Sequence, residues 1–270
     1  LERCRYSVRV YDEAGKLNIN VATKDQFMAL PYMEEEIAEA IVDWRDDNDD
    51  PQPLGAEAGY YENLPIPYKI RNGPFKTVRE LLKVKGVTEE KLYGEDANLN
   101  GLLDANERDG DLSPPPDNGD DRLDQGWIAY LTCYSYERNV DGAGEDRINI
   151  NQANQQQLQD GLGLKASQAK WIVDNRGGGF RSIADLINDR SPKTASEGSG
   201  GNQDQAEPMD MQTFGQIADR ITISGEKKLP GKININTAPV EVLKTLFGVD
   251  DQAEQIARSI VADRAALAYG

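Results

Sequence analysis

Histidine is absent from this 270-residue chain, cysteine occurs only twice, and 30 basic side chains stand against 47 acidic ones. Each scarcity excludes something. Without histidine there is no Ser-His-Asp or Cys-His nucleophile system, no zinc site built on imidazole and no general base of ordinary neutral-pH strength. The formal net charge of −17 opposes phosphate backbones, which draw nearly all their non-specific protein affinity from Lys and Arg, so nucleic acid is not an expected partner. No apolar run reaches the roughly 18 residues that a membrane-spanning helix requires. Among so many acids a glycosidase-type carboxylate pair can be nominated anywhere, which gives no specific support to catalysis, and no enzyme is expected. Cys4 and Cys133 both sit in strand-like sequence; they could form a disulfide in an oxidising compartment or remain two separate buried thiols. The chain opens on Leu1 with neither an initiator methionine nor a signal-like segment, and is expected to be a piece of a longer polypeptide.

What the chain does have is repetition. Leu17-Asn18-Ile19-Asn20-Val21-Ala22, Ile148-Asn149-Ile150-Asn151-Gln152-Ala153 and Ile233-Asn234-Ile235-Asn236-Thr237-Ala238 share one pattern, apolar-Asn-apolar-Asn-x-Ala. Each runs on through helical sequence to an arginine, Arg45, Arg176 or Arg264, that lies 27, 27 and 30 residues beyond the first asparagine. The alternation predicts a short extended entry, with Asn151 or Asn236 placed to cap the helix that follows and Pro239 in a first turn. A tight turn containing Gly163 or Gly248 then leads to a second helix, so each unit reads as a helix-hairpin-helix. Copies one and two continue into a third element, with Phe75 and Leu81 or Phe180 and Leu186 six residues apart. The third copy stops at Gly270 before that element, which reads as a chain boundary or a disordered tail.

Residues 5–11, 127–136 and 220–224 read as strands preceding the helical units, which predicts an α+β fold with helical insertions. Residues 46–59, 109–124 and 191–205 are rich in Gly, Ser, Asp and Pro; 191–205 is expected to be disordered. The predicted organisation is a strand region 1–16, repeat one over 17–94, an acidic region 95–125, a strand region 126–147, repeat two over 148–190, a linker 191–208, a helix and strand over 209–231, and repeat three over 232–270. Trp44, Tyr60, Tyr61 and Trp171 could face partners, but tryptophans at helical spacing are more simply core.

Residues 96–107 fit the twelve-residue calcium loop at every constrained position. Asp96, Asn98, Asn100 and Asp104 would offer side-chain oxygens, Leu102 its carbonyl and Glu107 a bidentate carboxylate, with Gly101 at the sharp turn and Leu103 packing inward. Residues 95–124 hold ten acids and two arginines, a net of −8, and such a segment repels itself unless a cation binds. Asp109, Asp111, Asp117, Asp120, Asp121 and Asp124 could supply a second calcium or be simply solvated. Asp43, Asp46, Asp47, Asp49 and Asp50 with Glu57 are a weaker metal candidate, read in preference as an acidic helix end and turn. The nearby Pro114-Pro115-Pro116 run favours a structural site over a calcium sensor.

In order along the chain, Gly15-Lys16-Leu17-Asn18-Ile19-Asn20, Ile41-Val42-Asp43-Trp44-Arg45-Asp46, Gly55-Ala56-Glu57 with Tyr60-Tyr61, Pro74-Phe75 through Glu80-Leu81-Leu82, and Val84-Lys85-Gly86-Val87-Thr88 resemble the general secretion pathway protein K family, minor pseudopilins of the type II secretion system. The resemblance implies a pseudopilin-like antiparallel sheet interrupted by a large helical domain of SAM-like, helix-hairpin-helix repeats, and bound Ca2+. It also implies a place at the tip of the periplasmic pseudopilus with the minor pseudopilins I and J, with secreted protein as possible cargo. An N-terminal hydrophobic helix anchored in the inner membrane would lie upstream of Leu1. The chain departs from the pattern in its long acidic insertion and the extra linker near Ser191. The repeat also resembles that of competence-type DNA receptors, although only the second turn, Gly161-Leu162-Gly163-Leu164, has paired glycines, followed by one lysine, Lys165. A calcium-dependent scaffolding module is the other alternative.

Overall fold

The computed structural model describes residues 8, 10–96, 98–112, 117–187 and 209–267. In chain order the elements are β1 (Leu17–Asn18), α1 (Lys24–Met28), α2 (Glu35–Arg45), α3 (Ala58–Glu62), α4 (Glu89–Tyr93), β2 (Leu131–Thr132), β3 (Tyr136–Arg138), β4 (Ile148–Asn149), α5 (Gln155–Leu162), α6 (Ala166–Asn175), α7 (Met211–Ile217), β5 (Ile221–Thr222), β6 (Lys228–Pro230), α8 (Val240–Lys244) and α9 (Asp251–Leu267). Short 3-10 turns at Val78–Lys83 and Ile183–Leu186 form the third elements of the first two repeats. The chain divides into two units, residues 1–137 with 230–270, and residues 138–229.

In the first unit, α1 packs on α2 and α8 on α9. Ile19, Phe27, Ile41, Trp44, Tyr61 and Leu81 are fully buried there, and Ala238, Val242 and Leu243 of the third repeat join the same core. In the second unit α5 packs on α6 over Ile150, Leu158, Ile172, Phe180 and Leu186. Each copy spaces its apolar residues so that one face of a short helix pair is covered. Helices this short are marginal alone and hold together through that packing. Trp44 and Tyr61 are core, as expected, with rings 5.3 Å apart edge to face, whereas Tyr60 is exposed under the Lys85 ammonium. Trp171 is half-buried and stacks on Phe180 at 6.4 Å.

The asparagines do something other than cap. Asn151 turns its carboxamide onto the third element, donating to Phe180 O at 3.0 Å and accepting from Phe180 N at 2.7 Å. Asn20 does the same to Phe75 at 3.0 and 2.7 Å. The caps fall three residues later, on Thr23 and Asn154, each in a reciprocal capping box with Gln26 or Gln157. In the third copy Pro239 is itself the cap residue, just before the first turn. The arginine at the end of each second helix points back to the entry segment. Arg176 Nη1 donates to Ile150 O at 3.3 Å and Ala153 O at 2.6 Å, Arg264 Nη1 to Ile235 O and Ala238 O at 2.8 Å each, and Arg45 to Ile19 O and Ala22 O. These charge-assisted bonds satisfy carbonyls that a two-residue strand leaves unpaired.

The strands are shorter than expected, and the pairs whose direction is defined are parallel. β1 pairs with β2, Leu17 opposite Leu131, and β4 with β5, Ile148 opposite Ile221. These two pairs thus depart from the antiparallel sheet expected, while the isolated bridges Gly94–Gln125 and Val140–Asp146 are antiparallel. Each pair joins the entry of a repeat to a strand reached after a helical crossover, and crossovers leave strands parallel. A further pair is formed by β3 with β6. The aromatic and β-branched run at 127–136 contains a 3-10 turn, Trp127–Ala129, and only three residues of strand, Leu131, Thr132 and Tyr136, because Trp127, Tyr130 and Leu131 are apolar for burial rather than for extension. Trp127 Nε1 donates to Pro31 O at 2.8 Å. Of residues 5–11, 5–7 and 9 lie outside the described residues, while Val8, Val10 and Tyr11 are exposed and outside any strand. The 220–224 strand contracts to β5. The linker at 191–208 and Cys4 lie outside the described residues; Cys133 is half-buried, and burial, with Glu80 and Glu13 nearby, pushes its thiol up to about 12.

Candidate metal centres

Two acidic sites stand out in the first unit. The first forms where α2 ends. Asp43 is fully buried on that helix, Asp46 is its C-terminal cap, and Glu57 precedes α3 and is also buried. One carboxylate oxygen from each lies within 4.8 Å of the others, the group of this kind found among the described residues. Asp43 accepts the Gln52 N–H at 3.1 Å, and Glu39, one turn earlier, accepts Leu54 N at 2.7 Å and the Lys24 ammonium at 2.6 Å. The acidic stretch after α2 is thus wound back onto the helix rather than acting as a free linker. Gly55 permits this winding, since a Cβ there would lie 1.9 Å from Asp43 Oδ2.

Neither carboxylate oxygen of Glu57 has a hydrogen bond of normal geometry. Burial, and then the charges of Asp43, Asp46 and Asp49, push its carboxyl up to about 7; the adjacent Ala58 N–H opposes this most weakly. Burial likewise pushes the Asp43 carboxyl up, against the Gln52 and Ala56 amides. Buried carboxylates that repel one another and lack donors are an unsatisfied arrangement unless a proton or a cation is added. All the donors are hard carboxylate oxygens, which suits Ca2+ or Mg2+ rather than a thiophilic metal. Asp47, Asp49 and Asp50 are exposed and outside the cluster, with Asp49 held by Asn72 Nδ2 at 2.8 Å. Sequence spacing nominated this cluster but favoured an acidic helix end. It could not weigh the burial of Glu57, which depends on the turn at Gly55.

The second site is the 96–107 loop. Asp96 is buried and accepts Asn100 N at 2.9 Å and Gly101 N at 2.8 Å through its two oxygens. Asn98 Oδ1 accepts Asn100 N and Asn100 Oδ1 accepts Leu102 N, at 3.0 and 2.6 Å. Both amide Nδ2 groups converge on Asp104 Oδ2 at 2.7 Å. Glu107 is fully buried; its Oε2 accepts Asp104 N at 3.0 Å, while Oε1 has no partner. Leu103 is half-buried and Gly101 takes the positive φ, 66°, that the sharp turn needs. The predicted ligand set is therefore brought into one loop, and the orphaned, buried Oε1 of Glu107 fits a cation. Asp96, Asp104 and Glu107 do not close to the spacing seen at Asp43, Asp46 and Glu57; in their place the two asparagine amides occupy Asp104.

Sequence reasoning missed Glu95. Buried next to the loop, it accepts Asn118 N at 3.1 Å and Asp124 N at 2.9 Å, and so ties the far end of the acidic segment to its start. The proposed second calcium set does not assemble. Asp117 accepts Gly110 and Gly119 amides, Asp121 pairs with Arg108 at 2.6 Å, and Asp124 accepts Asn118 Nδ2. No group of three close carboxylates forms from these among the described residues; the side chain of Asp111 lies outside them.

Comparison with known proteins gives a class first. Residues 16–93 match a family model of the type II secretion system. That model is described as type II secretion system (T2SS), protein K, and it covers 78 of the 270 residues. The match takes in Asp43, Asp46 and Glu57 and ends before the 96–107 loop. A chain in the crystal structure of the GspK-GspI-GspJ complex from enterotoxigenic Escherichia coli type 2 secretion system is similar at 15% identity, with a TM-score of 0.29, over 79% of this chain and 64% of that one. This chain thus spans a little under two thirds of the length of that relative. Among curated proteins none matches. No helix among the described residues is long and apolar enough to cross a membrane.

Proposed function

We propose that the chain is the periplasmic part of a minor pseudopilin of the type II secretion system, a protein anchored in the inner membrane, and that it caps or initiates the pseudopilus together with the minor pseudopilins I and J. The observation that carries this reading is the protein K match over residues 16–93. The assembly named for the structural relative, GspK with GspI and GspJ, supplies the choice of partners. The role is one of docking rather than catalysis. Three helix pairs, read as helix-hairpin-helix repeats, supply the bulk that blocks addition of a further subunit.

Calcium has a structural part in this reading. Glu107 Oε1 and both Glu57 oxygens are buried acceptors without donors, so a divalent cation at either site supplies the missing charge and orders segments that bury little apolar surface. Asp96, Asn98, Asn100, the Leu102 carbonyl, Asp104 and Glu107 would hold one ion, and Asp43, Asp46 and Glu57 another. The test is light-scattering size exclusion of this chain with the soluble domains of I and J from the same organism, in calcium and in chelator. A ternary complex in calcium is expected. Its absence in both conditions would overturn the pseudopilin reading, and low-salt DNA titration would then separate a nucleic-acid receptor from a calcium-bound scaffold.

A further inference from the structure

In the 96–107 loop the side chains placed to receive a cation also hold one another. Asn98 Oδ1 accepts Asn100 N at 3.0 Å and Asn100 Oδ1 accepts Leu102 N at 2.6 Å. A carboxamide oxygen seated on a backbone donor fixes which way the group is turned, and in both residues it is the Nδ2 side that meets Asp104. Both Nδ2 groups donate to one atom, Asp104 Oδ2, at 2.7 Å each. A carboxylate oxygen offers about two lone-pair positions, and these bonds take both. The adjoining carboxylate is treated in the opposite way. Glu107 Oε2 accepts Asp104 N at 3.0 Å, but the fully buried Oε1 has no donor among the described residues. Amides that merely filled in for missing donors would be shared between the two acids; here one oxygen has two and the buried one has none.

We propose that Asn98 and Asn100 are internal competitors for the cation of this loop: their amide nitrogens occupy the Asp104 oxygen that the ion needs, and both must leave it when the ion binds. The inference rests on the calcium reading of the loop and adds what regulates it. Two N–H dipoles aimed at an oxygen present their positive ends to anything else that approaches it, so they and a cation exclude each other there. Release is local, because the terminal torsion of asparagine is broad and soft. The Oδ1 atoms can keep their backbone donors and still face an ion through the second lone pair; the Nδ2 groups cannot. Calcium affinity is thereby set by an exchange, two charge-assisted hydrogen bonds against one ion. Asparagine at these two positions makes the loop a weaker site than aspartate would, through the retained competitor as well as the lower ligand charge. The cluster of Asp43, Asp46 and Glu57 has no such competitor on Glu57, whose two oxygens lack a hydrogen bond among the described residues.

The test is NMR of the side-chain amides of the whole 270-residue protein in chelator and in calcium chloride. In chelator the Asn98 and Asn100 NH2 protons are expected to exchange with solvent at least about tenfold more slowly than a free asparagine amide, as hydrogen bonds to a charged acceptor require. Asp104→Ala should abolish that protection. In calcium the protection should fall to that of a free amide while the Gly101 and Leu102 backbone amides shift. Asn100→Asp, which turns a competitor into a ligand, should tighten calcium by at least about tenfold in calorimetry. Loop backbone amides that move in calcium with the side-chain amides still protected would overturn the exchange and leave the calcium reading standing. Unchanged calcium affinity in Asn100→Asp, or amides that stay protected in Asp104→Ala, would also count against the exchange alone. Loop backbone amides that do not move at all would remove both.

Discussion

Around Asp43 the chain buries carboxylates at the end of a helix and leaves Glu57 without a hydrogen bond, whereas from Asp96 to Glu107 most side-chain oxygens are answered by an N–H of the same loop. The first site gains its shape from the core and its instability from charge. The second gains its shape from short Asx-type turns and keeps one orphaned oxygen, on Glu107. Acidic composition is common to both; what differs is which part of the protein pays for it. A helix-anchored cluster is frustrated without a proton or cation, while the self-bonded loop is satisfied except at Glu107 Oε1.

The largest expected effect follows from Gly55→Ala. A Cβ 1.9 Å from Asp43 Oδ2 forces the turn off the helix, and overpacking of this kind costs up to about 3 kcal/mol. Glu57 then loses its place beside Asp43. Urea unfolding in calcium and in chelator measures both consequences: a lower midpoint throughout, and a smaller calcium increment than wild type. Unchanged midpoints would mean that the turn is not held by Asp43. Next in size is Glu107→Gln. Saturating calcium at one site of this kind stabilises by roughly 2–3 kcal/mol at a hundredfold excess over the dissociation constant, on the order of 5–10 °C in melting temperature for a domain of this size. The variant should lose the part of the shift due to the loop and retain that due to Glu57. A full shift in Glu107→Gln would remove the loop from the set of sites.

The repeats were legible from sequence because they are written in residue identity, and the entry strands and third elements of the first two copies and the helix pairs of all three fall where the pattern put them. Their chemistry was not legible. A single asparagine before a helix looks like a cap, and only Phe180 on the opposite side reveals that Asn151 is a clamp. The 96–107 loop could be nominated for a different reason, since its candidate ligands are local in sequence and spacing alone picks them out. Asp43, Asp46 and Glu57 are also close in sequence, but what sets them apart is the burial of Asp43 and Glu57 and the turn at Gly55. No periodicity encodes that. Glu95 was invisible for the same reason: its partners, Asn118 and Asp124, lie across the whole acidic insertion.

Acidity should separate the two sites further. The Glu57 carboxyl sits at about 7 in the folded chain against an ordinary value of 4.5, so the folded state binds its proton more tightly than the unfolded state does. Its contribution is therefore fully present below about 4.5 and lost as pH rises through about 7, on the order of 2 kcal/mol. Denaturation in chelator at pH 5, 6 and 7.5 should show that decline, and Glu57→Gln should flatten it. In calcium the carboxylate is held charged by the ion, and the decline should vanish, while the apparent calcium affinity falls as protons compete below about pH 7. A decline that persists in saturating calcium would mean that no ion is held at Glu57.

The smallest effect is expected at Asp121, and it sharpens the contrast because it concerns charge without burial. Asp121 lies in the same acidic insertion and pairs with Arg108 at 2.6 Å, but both side chains are largely exposed. Coulomb attraction there is screened, and ordering two mobile side chains offsets what remains. Asp121→Asn should change the unfolding midpoint by no more than about 0.5 kcal/mol and leave the calcium increment as it is. If it lowered that increment as Glu107→Gln does, the outer aspartates would be ligands after all, and net charge across the insertion, rather than the burial of particular oxygens, would be what recruits the cation.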